Sequence, residues 1–264
     1  MTCLYSPDQS AELKREQKEA RSKADELVLS LVEHRYCSDK GYEHGVHGLS
    51  RRIRNIGRCI DNVYRLLPPD QIEIPDRETL KDVEINIQAA VFHVYGALDN
   101  LAFIWASERG VIGRNNRPLR NEQVGLSPEK REIWKSLPAV LQGELLAMIE
   151  WRRNLESFRH ALGHRIPLYI PPFLVDPRKV DEYRELERGS AEALRAHRFE
   201  EHEELQTAYR AMRHFKPMML HSLADPTPIY FHVQMLADFN TIHHLSALIF
   251  DELVDTAAPI PRTP

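Results

Sequence analysis

Residues 141–164 read LQGELLAMIEWRRNLESFRHALGH, with apolar Leu141, Leu145, Met148, Trp151, Leu155, Phe158 and Leu162 at spacings of four, three, three, four, three and four. This is the stripe of an amphipathic helix packed on a core, so the spacing predicts one helix over 141–164. With Leu155 as origin and about 100° per residue, Arg159 falls at roughly 40°, Arg152 at 60°, Glu156 at 100°, His160 at 140° and His164 at 180°. One edge of the helix is therefore Arg, Glu and His. Gly163 lies on the same side at roughly 80°, a side-chain-free notch that costs about 1 kcal/mol in mid-helix propensity. A notch between two reactive side chains can admit a ligand or another backbone. Ile166-Pro167 ends the helix, since proline donates no backbone bond and disfavours α geometry in the residue before it.

The same pattern sets out the remaining elements. Ser6-Pro7-Asp8 reads as a helix start, opening a charged helix to about Glu33. Its apolar positions, Leu13, Ala20, Ala24, Leu27, Leu31 and Val32, thicken toward the end, so its first half is expected to be solvated or to lie on a partner. Residues 37–48, with three glycines and His44 and His47, read as a loop. A helix begins at Ser50, with Ile53, Ile56, Ile60, Val63 and Leu67 on one side and Arg51, Arg52, Arg54 and Arg58 on the other, and Pro68-Pro69 ends it. From Asp76 the chain enters its most apolar segment. AAVFHVYGALDNLAFIWA is nearly long enough for a membrane span, but His93, Asp99 and Asn100 interrupt it, and a central buried helix is expected. His93, Gly96 and Asn100 share one face of it, while Asp99 points elsewhere.

Residues 110–126 have no apolar period and carry Arg114, Arg117 and Arg120, which is a long loop. Ser127-Pro128-Glu129 should cap a short helix to about Trp134. IPLYIPPFLVDP, with four prolines, is expected to cross the bundle in an irregular path. Dense charge over 178–215 resembles a solvated helical hairpin inserted into the bundle. Asp225-Pro226-Thr227-Pro228 is a loop, and a last amphipathic helix follows from Ile229. The expected fold is all-α, an antiparallel helical bundle in one domain over 1–264, its core about 45–175 plus 229–256 and its charged insertion about 178–215.

Composition removes several classes. A net charge of -4 with 28% charged residues gives no global basic field, so any RNA binding must be local. Cys3, Cys37 and Cys59 are too few and too scattered for a disulfide framework or a cysteine zinc site, and an odd count suits a reducing compartment. The segment MTCLYSPDQSAELKREQ has no apolar signal core. A soluble cytoplasmic protein with no membrane association is the expectation.

Arg159-His160-Ala161-Leu162-Gly163-His164 closes the 141–164 helix. Arginine, a polar residue, three more residues and histidine at the end of a helix resemble the Arg-x4-6-His signature of the HEPN superfamily, small helical bundles many of which are metal-independent endoribonucleases. Arg159 and His164 match the two signature positions, and His160 matches the polar residue that commonly follows the arginine. The resemblance implies an HEPN-like bundle that needs no cofactor and forms a homodimer through this helix, bringing two Arg/His sets into one cleft. It also implies RNA as substrate, a toxin-antitoxin or defence setting, and an antitoxin or nucleotidyltransferase partner.

The chemistry that fits is RNA scission by internal transesterification. Attack by a 2'-hydroxyl on its own phosphate needs a proton-transfer group and a cation for the charge building on phosphate oxygens. Histidine suits the first role and arginine, charged and able to grip two oxygens, the second. His164 is thus the expected acid or base, Arg159 the phosphate clamp and His160 an auxiliary group. Arg152, Glu156, Asn100 and His93 are the expected substrate-binding or supporting residues. Two rivals remain. One is a non-catalytic HEPN-like module whose polar edge recognises a nucleotide or protein. The other is a metal site built from His160 and His164, four apart on one face, with Glu156 and with His243-His244 completing the set.

Overall fold

The computed structural model describes residues 4–221 and 227–255. Cys3 and Asp225-Pro226, like the end of the chain from 256, lie outside the described residues. The structure is 73% helical, with one two-stranded sheet among the described residues, an all-α bundle. Its long helices are α1 (Pro7–Glu33), α3 (Ser50–Leu66), α4 (Arg77–Glu108), α7 (Ile149–His164) and α10 (Phe231–Asp255). Short α2 (Asp39–Tyr42), α5 (Arg131–Ser136) and α6 (Ala139–Ala147) and the pair α8 (Val180–Arg195) and α9 (Phe199–Ala211) complete it.

Cross-chain contacts give the directions. Arg52 meets Asn100 while Asn62 meets Asn86, so α3 and α4 are antiparallel. Tyr5 lies against His232 and His34 against Phe250, so α1 and α10 run the same way. Trp151 reaches Asp238 and Glu144 reaches His244, which sets α7 against α10. At the centre Ile53, Val83, Ala97, Leu101, Phe239 and Ile242 are fully buried. α4 is long and apolar enough to cross a membrane by length and composition, but it occupies the middle of the bundle, and 56% of its apolar window is buried there. Asp76 caps it by accepting from Thr79 N (2.8 Å).

Several expectations change. The first half of α1 is solvated along most of its surface but is also tied to the bundle along one side. Leu13 is buried, Lys14 Nζ meets Asp70 Oδ2 at 2.7 Å, and Arg21 and Gln17 both donate to Asp61 of α3. The bundle therefore includes α1 as well as 45–175, and Val28, not the exposed Val32, turns inward at its end. The expected 37–48 loop is α2 followed by a π-helix, Glu43–Leu49. The glycines that signal a turn in the sequence make room instead, since a Cβ at Gly45 would collide with the Tyr36 hydroxyl and one at Gly48 with the Asn100 amide. The single helix expected over 141–164 breaks at Met148 (φ -95°, ψ 13°) into α6 and α7. α5 begins at Arg131, after the Ser127-Pro128-Glu129 turn, with no side-chain cap bond at Lys130.

The insertion is a hairpin of α8 packed on α9. Its base is closed by the strands β1 (Leu174–Val175) and β2 (Arg213–His214), paired antiparallel. Helix therefore stops at Ala211, short of the expected 215. The Arg213 guanidinium sits 4.0 Å from the Phe173 ring centroid and donates to Tyr183 Oη at 2.6 Å from Nη2. The proline-rich stretch before β1 also pairs briefly, Tyr169 bridging Leu220.

Candidate functional site

α7 lies against α4, and Leu155, Phe158 and Ala161 are its buried side. This leaves the Arg-Glu-His edge at the rim. Arg159 is half-buried, with its guanidinium carbon 5.2 Å from the Tyr95 ring centroid. A cation over an aromatic face is held in place without a carboxylate. His160 Nε2 stands 3.9 Å from Glu156 Oε1, and its ring centroid is 6.1 Å from that of His164. His164 is exposed. No hydrogen bond or ring contact joins Arg159 to His164 among the described residues. One chain thus presents the arginine on the α4 side and the two imidazoles together farther round the helix.

A Cβ built at Gly163 meets nothing within 4 Å, so the notch opens to solvent rather than onto a neighbouring backbone. Gly163→Ala should accordingly stabilise the chain by about 0.5–1 kcal/mol, the helix-propensity difference. Denaturant midpoints at constant m-value would measure it, and a destabilised variant would show that the notch is filled.

Arg152 faces the long loop. Its Nη1 donates to the Leu126 carbonyl at 3.1 Å, and Nη2 lies 3.8 Å from Glu129 Oε2. Together with Tyr95, Asp99, Lys130, Trp151 and Glu156 it lines a cavity of about 570 Å³ between α4, α7 and the loop. Trp151 anchors this wall, donating from Nε1 to the buried Asp238 at 2.8 Å.

Asn100 is buried and already engaged. Its Oδ1 accepts from Arg52 Nε at 2.8 Å, and its Nδ2 lies 3.0 Å from His44 Nδ1. Both ends of its amide are thus taken up by Arg52 and His44. His93 turns to α3, its Nε2 3.2 Å from Asn55 Nδ2, with burial and the charge of Arg52 holding its pKa down. Neither reaches the Arg159 edge. Asp99, set aside in the sequence reading, belongs to it. Its carboxyl is pushed up by partial desolvation, against the opposing charges of Arg52, Arg159 and Lys130. Tyr95 and Asp99 are the neighbours of this edge that sequence reasoning missed, while Arg52 was seen only as one of four arginines on the polar side of its helix. The usable signal was the helical wheel of α4, on which Tyr95 and Asp99 are four apart on one face.

The expected metal set does not assemble. Among the described residues no group of three or more His, Cys, Asp or Glu side chains is placed to hold a metal. His244 Nε2 lies 3.3 Å from Glu144 of α6, and His243 lies near Lys23 and Glu26 of α1, so neither joins His160 and His164. His44 stacks on Phe103 at 4.3 Å and His47 packs edge-on to Tyr42, which separates that pair as well. Comparisons of the chain with protein-family models, with curated proteins and with solved structures find no match in any of the three.

Proposed function

We propose that this chain is a metal-independent endoribonuclease of the HEPN type. The observation that carries the reading is the end of α7, which carries a half-buried arginine fixed over Tyr95 on one side and two accessible imidazoles and an open notch farther round. The 2'-oxygen attacks the adjacent phosphorus and the bond to the 5'-oxygen breaks, leaving a 2',3'-cyclic phosphate and a 5'-hydroxyl. His164 takes or returns the proton. Arg159 neutralises the charge growing on the non-bridging oxygens, a role suited to a pre-positioned guanidinium, and His160 orients its neighbour.

Arg159 and His164 diverge by roughly 140° on one helix, so the active form pairs two copies through α7, the arginine of one protomer meeting the histidine of its partner. An antitoxin or nucleotidyltransferase partner would act by covering this edge. Sedimentation should therefore give a dimer. A monomer that binds RNA without cutting it would replace this reading with the non-catalytic binding module, which the divergence of the two side chains in one chain favours. The deciding assay is cleavage of total RNA and structured transfer RNA in EDTA. Cyclic-phosphate ends made by the parent and absent with His164→Ala support the nuclease. Equal cleavage by both excludes it.

A further inference from the structure

The face of α4 between α3 and α7 carries a second arginine held as firmly as the first. Arg52 of α3 lays its guanidinium flat over Gly96, where a methyl group would collide with its Cζ and both terminal nitrogens. Its Nε donates to Asn100 Oδ1, and Asn100 is fixed in turn by His44, stacked on Phe103 with its ring 7° from parallel. The terminal nitrogens of Arg52 make no hydrogen bond or ion pair among the described residues, and neither does Arg159. Two positioned, unpaired guanidinium groups on one surface are a recognition device rather than a stability device, since a surface arginine gains little from being held still without a partner.

Their placement is set by α4. Arg52 rests on Gly96 and Arg159 on Tyr95, and at about 100° per residue Phe92 and Asp99 fall between those two directions. Phe92 is 47% exposed and Ile85, a further two turns back, 56% exposed, so no element among the described residues covers this strip. Asp99, within reach of both positive charges but in a salt bridge with neither, separates two groups that would otherwise repel. Tyr95 faces Asp99 and Glu156 as well as Arg159 and Arg152, so the two guanidinium groups stand among carboxylates rather than in a uniformly basic field.

We infer that Arg52 and Arg159 form a two-arginine cradle for an RNA phosphodiester on the exposed face of α4, with Phe92 the platform for an adjoining base. Guanidinium forks match phosphate oxygens, and an exposed ring beside a cation is how single strands are held without base-edge readout. The inference takes RNA as the ligand from the proposed function but does not depend on cleavage.

It is tested by the anisotropy of a fluorescein-labelled single-stranded RNA oligonucleotide, titrated at several salt concentrations against full-length His164→Ala protein, so that no cutting intervenes. Adding Arg52→Gln should weaken binding about tenfold and lower the slope of log K against log salt by about 0.7, one phosphate contact. Gly96→Ala keeps every charge but displaces the guanidinium. It should weaken binding comparably while melting only slightly below the parent temperature, because the helix gain of alanine offsets part of the Arg52–Asn100 hydrogen bond that is lost. Parent affinity and slope in Arg52→Gln, or no RNA binding by the His164→Ala protein, overturns the cradle. So does an Arg52→Gln or Phe92→Ala protein that sediments as a monomer from a dimeric parent with its salt slope unchanged, which would assign the face to a second copy of the chain. Loss of the nuclease reading alone, with the salt-slope change intact, leaves the cradle standing.

Discussion

His164→Ala should lower RNA cleavage by about 10²- to 10⁴-fold and Arg159→Ala by about 10²- to 10³-fold, the ranges for losing a positioned proton-transfer group and a charge-stabilising donor. The double variant should be scarcely slower than the worse single one, because the proposed reading has both groups serve one step. Arg159→Lys should not rescue, since an ammonium neither grips two oxygens nor lies over Tyr95 as a planar fork does. Losing the contact with Tyr95 costs about 0.5–1 kcal/mol at such a site. A small shift in melting temperature with a large loss of rate therefore separates chemistry from folding. Initial rates on one defined transfer RNA decide the matter, and a parent-like rate in either single variant removes that residue from the mechanism.

The second large effect is on stability as pH changes, because two buried groups titrate with opposite sign. His232 is fully buried, with Nε2 2.6 Å from the Leu67 carbonyl, and burial pushes its pKa down to about 4 despite that hydrogen bond and the nearby Asp70. A histidine depressed in the fold below its unfolded value of about 6.5 contributes stability present above that pH and lost as pH falls toward 4. Asp238 is the reverse. Burial pushes it up to about 6, against hydrogen bonds from Trp151 and Gln234. Its contribution is present below the unfolded value of about 4 and lost as pH rises through 6. Each is worth on the order of 3 kcal/mol, so over this interval the parent changes less than either group alone would make it.

Asp238→Asn keeps an acceptor for Trp151 and removes the titration. The variant should gain on the order of 2 to 3 kcal/mol over the parent at pH 7.5, and the gain should disappear by pH 4. It should also show the acid loss from His232 undiluted. Denaturant unfolding at pH 7.5, 6, 5 and 4 reads all of this from two proteins. Parallel curves for parent and variant would mean that Asp238 does not titrate in this range.

The helical reading of 141–164 held for its apolar stripe but not for its continuity. Leu141, Leu155 and Phe158 are buried as the spacing implies, yet the backbone turns at Met148, which no proline or glycine at that position marks. In α1 the polar residues that looked solvent-bound include Lys14, Gln17 and Arg21, whose partners Asp70 and Asp61 lie 40 or more residues away. Such pairings leave no trace in local periodicity. Composition around Gly41, Gly45 and Gly48 pointed to a loop because glycine at turns and glycine at close contacts look alike in a sequence. Arg159, His160 and His164 were legible because all three sit on one helix. Tyr95 and Asp99 were not, because they meet that helix only after α4 and α7 pack, and the position of Arg52 on Gly96 follows only from the packing of α3 on α4.

By itself the sequence determined what depends on neighbours three and four residues away. That covers the helices, the buried stripe of α4, the proline stops, and the run of arginine and histidine along the edge of α7. The tertiary structure decided what depends on distant parts of the chain. It set Arg159 over Tyr95, laid Arg52 on Gly96, bonded Asn100 to Arg52, sent His243 and His244 away from α7, and buried Asp238 beside Trp151. The division is physical. Backbone hydrogen bonding and side-chain periodicity act within a turn or two, whereas burial, charge pairing and the surface left uncovered follow only from which helices face each other.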